Sequence, residues 1–435
     1  MTPAFQTVGE VAAVDSGPAF KSAHFGGPDE GIRLLRGDNI EPGALRWGRT
    51  KTWPESMLPG HEHLAVQEGD LILGMDRPLI SSGLKLARAR PSDLPALLVQ
   101  RVARMRPHSI NGAYLYHWLS SFQFQQHLKG SATGTQLPHV NLKSIKEFKV
   151  PRFGETAEAQ IVDVLEDHLS RLDAGVAYLN ASHRRAHFFA KSVLLTLIPE
   201  MEDYPSHWES STVGNAGSVK LGRQRHPDWH SGPNMKPYLR VANVFEDRID
   251  TSSLMEMHWP EETFERFRLH PGDVLLNEGQ SPEWLGRPAI YRGVPEDVAF
   301  TNSLLCFKAR EDVLPEFALL VFRRHMHAGR FARESRITTN IAHLSAARLK
   351  KIEFPVPPLG EQLRIIDIAE SKLTAVKHLE EEIAVAQRKA SSLRRSLLDA
   401  AFSGRLTEVA ASESEGDVAI SSDIVEAEAV EGVLF

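Results

Sequence analysis

The chain has 435 residues, 42% of them hydrophobic and 24% charged, a composition that describes folded domains rather than a disordered polymer and leaves room for two or three of them. A lone cysteine, Cys306, excludes an internal disulfide and argues against a Cys-ligated metal site. The net charge of −6 argues against nucleic-acid binding only until it is located.

Eight acids and no Lys or Arg fall in residues 407–435, which leaves 50 basic against 48 acidic residues elsewhere. The positive charge is clustered. Residues 77–106 hold seven Arg or Lys against Asp93, and residues 323–351 hold eight against Glu334. Such patches suit phosphate, although solvated helix faces would carry the same residues. No apolar run reaches the roughly 18 residues of a membrane span. The opening Met1-Thr2-Pro3-Ala4-Phe5 lacks the basic and apolar regions of a signal peptide, so a cytoplasmic location is expected.

In chain order, residues 1–152 read as a first globular module. Short strands are expected at Ile32–Leu35, Leu71–Leu73 and Leu97–Val99, punctuated by turns at Gly26-Gly27, Pro42-Gly43 and Pro59-Gly60. One helix is expected over Gly112–Lys129, its Tyr114, Leu115, Trp118, Leu119, Phe122 and Phe124 serving the core rather than stacking on bases. Residues 153–200 form a long spacer helix. Residues 201–357 form a second module, with strands at Tyr238–Val241 and Val274–Leu276 and a helix over Pro315–Phe331. Residues 358–404 form a second spacer helix, and 405–435 an acidic tail expected to be disordered. The Gly69-Asp70 and Gly272-Asp273 pairs read as turns that enter strands, not as catalytic acids.

The helical segments 156–198 and 360–402 are the strongest elements. Leu165, Leu172, Leu179, Ala186 and Val193 recur every seven residues in the first, with Ile161 and Phe189 flanking them. Ala369, Val376, Ile383, Ala390 and Leu397 do so in the second. A companion seam in the second consists of Ile365, Leu379, Ala386 and Leu393. A sustained seven-residue repeat implies a left-handed coiled coil. Some 43 residues give a rod of roughly 65 Å.

The chain repeats itself. His139 and His343 lie 204 residues apart, as do Pro151 and Pro355, and the register runs on through Ile161 and Ile365, Glu166 and Glu370, and Ser192 and Ser396. Earlier echoes drift slightly: Thr7-Val8-Gly9 matches Thr212-Val213-Gly214, Arg36 and Asn39 match Arg240 and Asn243, and Trp53-Pro54-Glu55 matches Trp259-Pro260-Glu261. The period exceeds the roughly 20–50 residues of a solenoid unit. The fold class is therefore α+β: two modules of mixed α/β structure, related by pseudo-twofold symmetry and joined by two long antiparallel coiled-coil helices.

The segment Phe354-Pro355-Val356-Pro357-Pro358-Leu359-Gly360-Glu361-Gln362-Leu363-Arg364-Ile365 resembles the strand exit and helix entry of type I restriction–modification DNA specificity subunits. The helix end from Leu393 to Leu406 is similar to that family too, and Arg287–Lys308 and Glu334–Leu349 fit its target-recognition domains. The resemblance covers nearly all of residues 1–406. The first copy, Pro151-Arg152-Phe153-Gly154-Glu155-Thr156-Ala157-Glu158-Ala159-Gln160, lacks the proline cluster and the adjacent Glu-Gln, which leaves its helix start open. The resemblance implies a non-catalytic subunit whose two target-recognition domains each read half of a bipartite, asymmetric double-stranded DNA site. The helices would set the gap and dock two methyltransferase subunits. Restriction motor-nuclease subunits would join them. No cofactor is expected on this chain; S-adenosylmethionine, ATP and Mg would belong to the partners.

The residues agree. There is no Asn/Asp-Pro-Pro-Tyr/Phe segment for adenine methylation and no Gly-x-x-x-x-Gly-Lys-Ser/Thr loop for ATP. His61-x-His63 and His325-x-His327 lack further ligands at zinc spacing. The expected DNA contacts are the loops before each exit strand: Thr135, Gln136, His139, Asn141 and Lys143 in the first copy, and Arg333, Arg336, Thr338, Thr339, Asn340 and His343 in the second. Gln and Asn pair bidentately with adenine and Arg with guanine, whereas Lys and Thr suit phosphate. Lys85, Arg88 and Arg90 are expected on the backbone, with the Arg-rich stretch 323–336 as their counterpart. Partner subunits are expected on Leu165, Leu172, Leu179, Val376, Ile383 and Leu397. The alternative is a coiled-coil assembly adaptor without DNA specificity, which would show no salt-dependent DNA binding; an enzyme with an unrecognised site is a third reading.

Overall fold

The computed structural model describes residues 3–405 apart from Asp29, Arg49, 133–137 and 339–340, and of 336–338 only the backbone. The expected disordered tail therefore lies outside the described residues from 406 onward. The chain divides into two compact units. One combines the residues up to 177 with those from 387, and the other is 178–386. Each unit thus owns a module and part of both long helices.

The units repeat one plan. In the first, a four-stranded antiparallel sheet runs Leu86–Arg88, Leu71–Gly74, Val102–Pro107, Ala12–Ser16. In the second the order is the same: Pro288–Ile290, Val274–Asn277, Leu304–Ala309, Gly217–Leu221. A three-stranded sheet follows suit. Ile32–Leu35 lies between parallel Ala96–Leu98 and antiparallel Thr52–Trp53, and Met235–Leu239 lies between parallel Ala299–Phe300 and antiparallel Met255–His258. The four-residue strands Leu71–Gly74 and Val274–Asn277 are buried throughout, because both faces of the sheet are covered.

The helices differ from expectation in one respect. The stretch expected as one helix breaks into Gly112–Leu119 and Phe122–Ser131, with Ser121 capping the second through Phe124 N–H. Its counterpart stops at His327, where Gly329 takes a left-handed conformation (φ 68°) before Arg330–Glu334. Tyr114, Leu115, Trp118, Leu119 and Phe124 are core residues as expected, but Phe122 is exposed.

The strand before each long helix pairs with the start of its own module: Lys149–Arg152 with Ala4–Thr7, and Glu353–Val356 with Glu209–Thr212. The turn beyond is the same in both. Val8 N–H donates to the Phe148 carbonyl at 2.8 Å and Val213 N–H to that of Ile352 at 2.9 Å. Asn39 and Asn243 are buried and close matching turns, accepting from Arg36 and Arg240 N–H and donating to the carbonyls of Arg46 and Asp250. Asp70 and Asp273 likewise accept the backbone N–H three residues earlier, so they are scaffold.

The long helices span Glu155–Leu197 and Leu359–Phe402. Gln362 locks the second: buried, it donates to the Asp312 and Pro357 carbonyls at 2.8 Å and accepts from Leu314 N–H at 2.9 Å. Glu361 beside it accepts from the Trp208 indole at 2.9 Å. The first helix starts without a Glu-Gln pair because Glu158, 204 residues before Gln362, does the same task with charge. Its buried carboxylate accepts from Arg152 at 2.7 Å and from Phe153 N–H at 3.2 Å.

Within each unit the two helices run antiparallel. In the first unit Leu165 and Leu169 share a core with Leu398, Ala401 and Phe402, and Asp173 pairs with Arg394. In the second, Leu194 and Ile198 pack with Ile365, Ile366 and Ala369. Ala369, Val376 and Ile383 are buried as the seven-residue repeat requires, whereas Leu379, Leu393 and Phe189 are exposed. A helix pair covered by a module on one side needs only one continuous apolar stripe per helix; of the companion seam Ile365 is buried and Ala386 half-buried, while Leu379 and Leu393 face out. Among the described residues no helix is long and apolar enough to cross a membrane.

Candidate nucleic-acid interface

In each unit, four segments meet at one end of the four-stranded sheet. In the first unit, Leu71–Gly74 runs out into Met75-Asp76-Arg77. Backbone bonds stitch this segment to the others: Met75 N–H to the Arg101 carbonyl, Val140 N–H to that of Met75, Arg77 N–H to that of Pro138, and Gln100 N–H to that of Pro18. The second unit has the same stitches. Glu278 N–H donates to the Ser303 carbonyl, Leu344 N–H to that of Glu278, and Asn302 N–H to that of Arg223, all at 2.8–3.0 Å. The described parts of the exit loops return to this edge, Pro138–Val140 in the first unit and Ile341–His343 in the second.

A histidine and a carboxylate meet there in both units. His139 Nδ1 lies 2.7 Å from Asp76 Oδ1, and His343 Nδ1 lies 3.2 Å from Glu278 Oε2. By backbone stitching Glu278 corresponds to Met75, so Asp76 stands one residue further along; its shorter side chain reaches the same place. Asp76 also accepts from Arg101 at 2.9 Å. Burial alone would raise the Asp76 carboxyl, but the bonds from Arg101 and His139 hold it below the usual carboxylate range.

The first unit adds a half-open cavity of about 840 Å³ beside this edge, lined by Arg36, Arg77, Lys85, Arg101, Phe20 and Phe25. Lys85 makes no ion pair among the described residues, and burial lowers the affinity of its amine for a proton, against the pull of Asp38 and Asp76. A partly desolvated ammonium beside three guanidinium groups suits a phosphodiester. The corresponding Arg287 of the second unit is committed elsewhere, donating to the Val244 carbonyl at 3.1 Å with its guanidinium over Phe245.

The expected contact residues divide. His139, His343 and Lys85 lie at this edge. Arg88 does not: it sits opposite Leu71, at the far end of the strand from Gly74, and Arg90 follows it, both exposed. Asn141 is spent on a helix cap, accepting from Ser144 N–H at 2.9 Å, and exposed Lys143 faces Glu147 at 3.7 Å. Arg333 is exposed on its short helix and donates to the Ala328 carbonyl. Arg336 and Thr338 lie on a strand, opposite His343 and Ile341. Thr135, Gln136, Thr339 and Asn340 lie outside the described residues.

Much of the basic clustering proves structural. Arg104 is buried against Asp15, Arg106 grips Asp70 with two bonds of 2.7 Å, and Arg324 is buried with an ion pair to Glu200 at 2.8 Å. Arg323 holds Glu246 at 2.7 Å, and Arg330 holds Glu353 and Glu334. Arg323, Arg324 and Arg330 thus belong to internal ion pairs rather than to a solvent-facing patch, while Arg333 is exposed. His325 bonds the Glu353 carbonyl and His327 bonds Glu246.

The helix residues expected to meet partners also divide. Leu165, Val376 and Ile383 are buried within their own units, and Leu172, Leu179 and Leu397 are half-buried. The exposed apolar side chains are others: Tyr178, Phe188 and Phe189 on the first helix, and Leu363, Leu379 and Leu393 on the second. Sequence periodicity finds the inward stripe, and what it leaves over is the outward surface.

Residues 205–384 match a family model described as the type I restriction modification DNA specificity domain. The type I restriction enzyme EcoAI specificity subunit of Escherichia coli is 32% identical over 155 residues, 35% of this chain and 26% of that protein. The chain therefore spans about a quarter of that relative's length in the match. The EcoBI specificity subunit of Escherichia coli is 22% identical over 431 residues, covering 91% of this chain and 85% of that protein. A structure from a study of complex assembly and conformational transition in the type I R-M system superposes with a TM-score of 0.69 at 17% identity, over 92% of this chain and 98% of that one; it shares the fold.

Proposed function

We propose that this chain, which belongs to the family of type I restriction–modification specificity subunits, is the DNA-reading and assembly subunit of its complex. Each module reads one half of a bipartite double-stranded site through the edge where its exit loop returns. The observation that carries this is the duplication of that edge: the same backbone stitches and the same histidine–carboxylate pair, with different side chains mounted on them. Two like frames with unlike contact residues suit a target of two unlike halves at matching geometry.

The long helices set the gap between the halves. Their outward apolar side chains, Tyr178, Phe188, Phe189, Leu379 and Leu393, form the docking surface for two methyltransferase subunits, which supply S-adenosylmethionine and the methylation of adenine. Motor-nuclease subunits with ATP and Mg join that assembly. This chain contributes no catalytic group; at the proposed edge His139 with Asp76 and His343 with Glu278 are engaged with one another. Changes of length within 165–193 or 369–397 alter the gap and leave both halves of the motif intact.

The test is to map adenine methylation in cells that express the chain with its neighbouring methyltransferase, against cells lacking the chain. A two-part motif with a fixed gap that vanishes without the chain is the expected result. Unchanged methylation, with the complexes recovered intact, would favour an assembly adaptor instead.

A further inference from the structure

The loops after the strands Ala12–Ser16 and Gly217–Leu221 begin alike and then part. Gly17 and Gly222 press against the neighbouring turn so closely that a Cβ would lie 2.0 Å from the Leu98 carbonyl oxygen in one unit and 2.2 Å from that of Thr301 in the other. The next residue is tied identically, Pro18 by Gln100 N–H and Arg223 by Asn302 N–H, both at 3.0 Å. A tryptophan lies under each loop, at the equivalent positions Trp53 and Trp259.

What covers that tryptophan differs. In the first unit Phe20 does so, with ring centroids 4.6 Å apart, so the third residue after the glycine turns inward. In the second unit Arg223, the first residue after the glycine, takes the place. Its guanidinium lies 4.7 Å from the Trp259 ring and 3.8 Å from that of Trp229, and donates to the His258 carbonyl at 2.9 Å. Moving the anchor to the loop's first residue leaves Gln224, Arg225 and His226 exposed just beyond a rigid root. His226 is engaged with Asp228, but Gln224 and Arg225 make no side-chain hydrogen bond or ion pair among the described residues. The root is stitched through Asn302 and Ser303 to Glu278, and Glu278 holds His343. The loop therefore rises from the same edge as Ile341–His343.

We infer that Gln224 and Arg225 are a second set of base-reading side chains in the second unit; the inference rests on the DNA-reading proposal above. A frame shared by two modules suits what the two half-sites share, the phosphate backbone. Residues that diverge at an identically tied position serve what differs, the base sequence. Arg matches guanine bidentately and Gln matches adenine, and a root held by stacking spares part of the entropy of ordering them.

The experiment is the same methylation map, made with the full chain and its methyltransferase, for the wild type and for Arg225→Ala, Arg225→Lys and Gln224→Ala. With the wild type, a two-part motif is expected; its absence overturns the DNA-reading proposal itself, before any variant is compared. Both Arg225 variants are expected to make one base pair of one half degenerate, discrimination falling about tenfold or more. Lys keeps the charge but loses the planar fork. Gln224→Ala is expected to relax a neighbouring position, with the other half and the gap unchanged. A uniform drop in methylation with the motif intact, restoration of full specificity by Arg225→Lys, or no effect at all would each overturn the inference.

Discussion

The first unit anchors its long helix with a buried ion pair, Arg152 to Glu158, where the second uses a neutral amide, Gln362. Both positions are 204 residues apart and both side chains are wholly buried, so the duplication kept the place and changed the chemistry. The difference teaches what each site tolerates. A lost amide leaves polar atoms short of a bond, whereas a lost carboxylate leaves a partly buried charge without its partner.

The largest expected effect separates the two. Glu158→Ala takes the carboxylate from Arg152, which is partly buried and keeps its bonds to Gln6 and Ser109, and is expected to cost the first unit about 3 kcal/mol, measured as a shift of its denaturant midpoint by a probe placed in that unit. An effect no larger than that of an exposed Glu→Ala would show that water reaches the pair.

Next comes acid. Burial alone would raise the Glu246 carboxyl, but hydrogen bonds from His327 and Arg323 hold it at about 2, below its ordinary 4.5. A carboxyl depressed on folding stabilises the second unit above about pH 4.5 and loses that contribution as the pH falls toward 2, roughly 3 kcal/mol in all. The first unit has Pro42 at the corresponding position of its turn. The expected outcome is that Glu246→Gln removes this acid dependence from the second unit, read by pH-dependent denaturation, and leaves the first unchanged.

Gln362→Ala is smaller, roughly 1–3 kcal/mol, because Leu314 N–H and two carbonyls lose a neutral partner. The same denaturation assay on the second unit checks it, and should place it below Glu158→Ala. Smallest for stability are Lys146→Ala and Lys350→Ala, the equivalent exposed lysines beside Gly9 and Gly214. Neither is expected to shift the midpoint. In the complex with methyltransferase each should lower the slope of log affinity against log salt by about 1 and leave the motif alone; unequal slopes would mean that the modules grip the backbone differently.

The internal repeat made much of this legible in the sequence. A seven-residue apolar period fixed both long helices to within a residue or two, since burial of one stripe dictates that spacing. The buried turn residues Asn39 and Asn243 showed themselves by recurring. The helix entry at Glu158 was hidden, because an ion pair replaced the motif. The edge was only half legible: His139 and His343 recur in sequence, but their carboxylates stand one residue out of step, and only the backbone stitches align them. Arg225 was invisible for another reason. Nothing in a run of Arg and His tells which guanidinium is sandwiched between tryptophans and which one is left exposed.

The most direct test of the central claim is a hydroxyl-radical footprint of the chain, assembled with its methyltransferase, on DNA carrying the mapped motif. Two modules reading two halves predict two protected stretches separated by an accessible gap, with scrambling of one half erasing only its own stretch. A single stretch lost whole when either half is scrambled would contradict the reading of one half by each module.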